Sequence, residues 1–171
     1  MTQWLDIDDT NGYIKTTDTI VQYPGREFGE GISVLNDSEW IELTWKDKVV
    51  HILDHDTLQV NRTIDMWPGV TAGWGITLDP AKRILYATDG TANVTTIDAD
   101  TLEQTGQFEV TWNGAKQDKI NELEFVDGYI WANVFFFNGM VKIDPSNGQI
   151  VEVVDFEDLH DGEMEMVEEK N

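Results

Sequence analysis

The chain has 171 residues, 40% of them hydrophobic, with seven tryptophans and no cysteine, which suffices for one packed domain and excludes disulfides, Cys-ligated zinc and thiol catalysis. Its 33 acidic residues against 11 basic ones give a net charge of -22, a surface that repels phosphate backbones, so nucleic acid is not an expected partner. No apolar run approaches the ~18 residues of a membrane span, so no membrane association is expected, and Met1–Asp9 carries neither the basic start nor the apolar stretch of a signal peptide. The chain as it stands reads as soluble, with its localisation open.

In chain order, Met1–Val21 reads as two β-strands. Three sets of four short β-type runs follow. The first is Ile32–Leu35, Trp40–Trp45, Val49–Leu53 and Val60–Met66. The second is Ile76–Leu78, Ile84–Thr88, Val94–Ile97 and Gln107–Thr111, and the third is Leu123–Val126, Tyr129–Val134, Met140–Ile143 and Ile150–Phe156. All are rich in Val, Ile, Thr and aromatic residues and are separated by Gly, Asp and Asn. An apolar-Asp pair recurs at Ile7-Asp8, Leu53-Asp54, Ile97-Asp98 and Ile143-Asp144, at spacings of 46, 44 and 46 residues. Each Asp opens a turn-like stretch, where a short carboxylate can accept nearby backbone N–H groups, so a structural role is expected for all four.

Four strands repeating every ~45 residues predict an all-β fold built of propeller blades. The blades fall at about 28–67, 72–112 and 120–156, with residues 1–21 as the outer strands of a preceding blade. Together these make a partial β-propeller domain over residues 1–156. Residues 157–171 read as an acidic tail or linker, since Asp155–Asn171 holds eight acids in 17 residues. Three and a half blades leave a ring open. Self-association or complementation by further blades is therefore expected.

The loops leading into the innermost strands differ in chemistry although the blades repeat. They read Phe28-Gly29-Glu30-Gly31, Gly73-Trp74-Gly75 and Asn121-Glu122-Leu123-Glu124. With Leu43-Thr44-Trp45, Thr88-Asp89-Gly90 and Trp131-Ala132-Asn133-Val134, this ordered series resembles the plant and bacterial glutaminyl-peptide cyclotransferases, over roughly Asp8 to Phe156. The resemblance implies a five-bladed propeller, of which this chain holds part. The implied reaction converts the N-terminal Gln of peptides to pyroglutamate with release of ammonia, without cofactor or metal. Glu30 corresponds to the catalytic carboxylate. Trp45, Trp74 and Trp131 correspond to pocket tryptophans, Asn121 to a substrate-binding amide, and Phe28 lines the same pocket. The family's Phe-Thr-Gln-Gly loop is expected before Met1 and its Thr-Gly-Lys segment after Asn171. A truncated, non-catalytic propeller acting as a binding module is the alternative.

Plainer roles stand beside these. Trp45 and Trp131 sit on strands and suit a core, Asn121 suits a turn cap, and Asp89 suits a turn better than an amine-binding role. Trp4, Trp40, Trp67 and Trp112 read as blade packing. His51 and His55, at a strand end and in its turn, are expected to be exposed. With His160 they form no zinc-binding spacing.

Overall fold

The computed structural model describes residues 2–8, 13–21 and 27–157. Strands β1 (Thr2–Asp8) and β2 (Tyr13–Val21) pair antiparallel as a two-stranded sheet. Strands β3 (Gly29–Asn36), β4 (Glu39–Thr44), β5 (Val49–Asp54) and β6 (Val60–Asp65) form an antiparallel meander, the first blade. The second blade repeats it with β7 (Ile76–Asp79), β8 (Ile84–Thr88), β9 (Asn93–Asp98) and β10 (Gln104–Glu109). In the third, β13 (Ile120–Val126), β14 (Tyr129–Val134), β15 (Gly139–Asp144) and β16 (Gln149–Asp155) form the meander. The innermost strands β3, β7 and β13 lie side by side in that order, the arrangement of an incomplete β-propeller. The acidic segment 158–171 with His160, the turn at 9–12 and the Trp4 side chain lie outside the described residues.

One departure from the predicted blades lies between the second and third. The run expected at Gln107–Thr111 ends at Glu109, and a hairpin of β11 (Thr111–Trp112) and β12 (Ala115–Lys116) joins the third sheet instead. The switch is local. The Val110 N–H still donates to Ala92 O in the second blade, at 2.7 Å, whereas the Thr111 N–H donates to Gly148 O in the third, at 2.9 Å. Trp112, read as blade packing, is consequently 41% exposed.

Strand alternation builds two cores, because successive side chains on a strand face opposite ways. On β8, Leu85 and Ala87 face the first blade and join Leu35, Ile41, Leu43, Val50 and Ile52. Tyr86 faces the third blade and joins Ile120, Ile130, Ala132, Val141 and Ile143. Trp67 is buried over the first core and its indole N–H donates to Leu102 O at 2.8 Å. Trp40 stacks on His55, ring centroids 5.4 Å apart. The expectation that His51 is exposed is corrected. It lies on the side of β5 opposite Val50 and Ile52 and is buried there, with Nδ1 3.0 Å from Thr63 Oγ1 and Nε2 3.5 Å from the Glu27 carboxylate.

The repeated Asp residues act as turn organisers. Asp54 Oδ1 accepts the Thr57 N–H at 2.8 Å, Asp98 Oδ1 the Thr101 N–H at 2.8 Å, and Asp144 Oδ1 the Ser146 N–H at 2.9 Å. Bonds from Thr57, Thr101 and Ser146 hold these carboxyls below the usual carboxylate range. Each turn closes four residues on, where the N–H of Leu58, Leu102 or Gly148 returns to the carbonyl of its own Asp. Leu58 and Leu102 adopt φ of 56° and 59°. Burying Leu58 against Leu53 offsets the unfavourable backbone there.

Candidate active site

The inner strands approach so closely that their first turns admit little side chain. A Cβ on Gly31 would stand 2.5 Å from Trp74 O, and one on Gly75 would stand 2.3 Å from Asn121 O. Glycine at both positions lets each blade seat its inner strand against the next one's backbone. The residues beside these contacts (Glu30, Trp74 and Asn121) are thereby brought together at one end of the ring, although they are more than 40 residues apart in sequence.

The loop carrying Trp74 is fastened on both sides. The Gly73 N–H donates to Thr44 O at 3.1 Å and to Trp45 O at 3.0 Å, while the Trp74 N–H donates to Thr88 O at 3.0 Å. The indole of Trp74 lies against the backbone of Gly90, where a Cβ would fall 2.5 Å from the ring. Gly90 also has φ of 80°, so glycine answers both a steric and a backbone demand. A tryptophan in a glycine loop is thus held by backbone bonds on both sides and by the Gly90 backbone under its ring.

Glu30, Trp45, Trp74, Asn121 and Phe135 line one pocket of ≈ 250 Å³. The sequence points to four of these but not to Phe135. It follows the last residue of β14 and meets the Trp74 ring edge-on, centroids 5.7 Å apart. Its signal was present in the sequence, since Phe135 follows Val134 as Trp45 follows Thr44 in the first blade. Trp131 lies elsewhere. Its neighbours Ile130 and Ala132 face the second blade, so its own ring points to the other side of β14. There it lines a wider cleft of ≈ 650 Å³ with Glu30, Glu122, Glu124, Phe137, Met140 and other residues. Phe28 lines neither cavity. It is 61% exposed and meets Trp45 edge-on at 6.4 Å, its N–H donating to Asp47 Oδ2 at 3.2 Å.

Glu30 stands on the wall common to both cavities. Burial raises its carboxyl above the ordinary value. Glu122 occupies the position that is glycine in the other two blades. It keeps contact with solvent at the cleft, yet protein crowds it on its other sides. That desolvation, and second the charge of Glu30, push it up to about 7. The sequence does not point to Glu122, because nothing in its tetrapeptide says that a second carboxylate faces it. Asp89 acts as a loop organiser. It accepts the Thr71 and Thr91 hydroxyls at 2.8 and 2.6 Å, and although burial pushes its carboxyl up, the bonds from Thr91 and Thr71 leave it below the usual range.

Fold and pocket together define a propeller-type protein with a partly desolvated carboxylate facing an aromatic box. The glutamine cyclotransferase family model matches residues 6–170, and the chain belongs to that family. It is 26% identical over 124 residues to a glutaminyl-peptide cyclotransferase of Arabidopsis thaliana, covering 72% of this chain and 37% of the plant protein. The crystal structure of Myxococcus xanthus glutaminyl cyclase superposes with a TM-score of 0.69 at 26% identity, covering 84% of this chain and 56% of that one. The WD40 β-propeller domain of Doa1 is similar in fold, with a TM-score of 0.57 at 12% identity, over 80% of this chain and 43% of that one. The chain therefore spans about a third to just over half of the two cyclase relatives.

Proposed function

We propose that this chain carries the reactive part of a glutaminyl-peptide cyclotransferase, which closes an N-terminal glutamine into pyroglutamate and releases ammonia. The observation that carries the reading is the ≈ 250 Å³ pocket in which Glu30, Trp45, Trp74, Asn121 and Phe135 meet. In this reaction the substrate's α-amine attacks its own γ-carboxamide carbon, the carbonyl oxygen gathers charge, and the C–N bond to the departing ammonia breaks. The step is intramolecular, so a rigid aromatic box that keeps the side chain folded back on the amine supplies much of the acceleration. Glu30 takes the proton from the attacking amine and returns it to the leaving nitrogen. Its burial favours this, since raising the carboxyl makes its carboxylate a stronger base and brings its proton affinity closer to neutral pH, so that it can both take the proton and return it. The indole N–H groups of Trp45 and Trp74 and the Asn121 amide are the donors available to the developing oxyanion and to the substrate. Trp131 and Phe28 serve as outer substrate contacts, beyond the pocket itself. The preferred partners are peptides beginning with Gln.

The test is ammonia release from a Gln-initiated dipeptide by the 171-residue chain, and by a form extended with the remaining blades of a cyclase. Glu30→Gln preserves shape and removes proton transfer, and should lower kcat by about 10²–10⁴-fold. Unchanged turnover in Glu30→Gln removes Glu30 from the mechanism. Absence of ammonia from the extended form on any such peptide leaves a binding module as the reading.

A further inference from the structure

Phe136 is the most solvent-exposed large hydrophobic residue among those described, at 85%, and its φ is 73°. A bulky side chain in the left-handed region is rare and unfavourable, and such residues gather at ligand clamps. Two unfavourable features thus coincide at one residue, at the rim of the candidate pocket. The surrounding backbone imposes them. The Phe135 N–H donates to Lys119 O at 2.9 Å, the Phe137 N–H to Val134 O at 2.9 Å, and the Lys119 N–H to Gly90 O at 2.9 Å, the same glycine that supports Trp74.

The outcome is a continuous aromatic wall. Trp74 meets Phe135 inside the pocket, and the Phe136 ring stands 4.3 Å from that of Phe135, carrying the wall outwards. Lys119 Nζ lies 4.9 Å from the Phe136 ring centroid. The matching loops of the other blades do not extend such a wall, since Trp45 is followed by Lys46 and Asp89 by Gly90. An extended peptide advances ~3.5 Å per residue. One such step outward from a pocket lined by Phe135 reaches Phe136.

We propose that Phe136 is a specificity-determining residue, whose ring takes the side chain that follows the N-terminal glutamine and favours a large apolar or aromatic one there. The inference rests on the cyclotransferase reading and names the substrate class within it. Covering an exposed phenyl ring with a second aromatic side chain should be worth roughly tenfold in kcat/KM.

The experiment compares Gln-Phe-amide with Gln-Gly-amide by ammonia release. In parallel, binding of pyroglutamyl-Phe-amide and pyroglutamyl-Gly-amide is followed by tryptophan fluorescence. The wild-type chain should favour the Phe peptides about tenfold, and Phe136→Ala should narrow the preference to less than about twofold. Phe136→Gly should narrow it equally while its Tm stays level or rises, because glycine relieves the positive φ. That separates lost recognition from lost folding. A wild-type preference near unity, or one retained in both variants, overturns the inference. Preferential binding of pyroglutamyl-Phe-amide without any turnover by the chain or by its extended form sustains the inference and sinks the catalytic reading. Neither binding nor turnover in either form overturns both.

Discussion

The buried hydroxyl of Thr88 donates to the backbone carbonyl of Asn121 at 2.8 Å and accepts the Gly75 N–H at 2.8 Å. One side chain thus ties the loop that carries Trp74 to the loop that carries Asn121, across the junction of two blades. Thr88→Val keeps shape but leaves a buried donor and a buried acceptor without partners. It should cost about 1–3 kcal/mol in urea unfolding, with Thr88→Ser losing clearly less. If Thr88→Val unfolds at the wild-type midpoint, the hydroxyl is not what joins the blades.

Gly90 gives a second, sharper test. Gly90→Ala places a methyl group against the Trp74 indole and puts a side chain at φ of 80°. Both effects point the same way, to a loss of about 1–3 kcal/mol and a displaced indole. Thermal unfolding reads the first, and tryptophan fluorescence reads the second. A wild-type spectrum in Gly90→Ala would show that the ring does not rest on that glycine.

The carboxyl pair predicts a pH dependence. Crowding by protein, and second the charge of Glu30, push the Glu122 carboxyl from an ordinary 4.5 up to about 7, so between these values the folded state keeps a proton that the unfolded state has released. Stability from this group is therefore greatest below about pH 4.5 and declines as pH rises towards 7. Glu122→Gln should remove that decline, so the difference in unfolding free energy between variant and wild type should grow in the variant's favour across the window. The difference isolates Glu122 from His51, whose depressed pKa acts in the opposite direction. Parallel stability curves for the two proteins from pH 4 to 8 would refute the assignment.

Association is also expected. Val34, Val126, Val151 and Val153 are each at least 40% exposed, which favours contact with other β-surfaces. The net charge of -22 opposes it at low salt. Sedimentation velocity should therefore show mass growing with protein concentration, and more so as added salt screens the charge. A single 19.5 kDa species at every salt and protein concentration would contradict this.

Much of the architecture is local and was legible as such. The Asp turns need only a carboxylate two or three residues before the N–H groups it accepts, so Asp54, Asp98 and Asp144 announce the blade period. The two-residue period of a strand puts Ile130 and Ala132 on one face and Trp131 on the other. Which face meets a neighbour is not a local property. Trp131 reads as a pocket residue beside its motif, yet the packing of Ile130 and Ala132 on the second blade turns it to the cleft, and Phe135 stands in the pocket. Likewise, no property of residues 121–124 alone reveals that Glu122 will face Glu30. That meeting exists only because Gly31 and Gly75 let three inner strands close together. Sequence periodicity determined the strands and turns. The choice of which side chains share a pocket was made by blade-on-blade packing, where burial and close backbone contact fix the orientation of every strand at once.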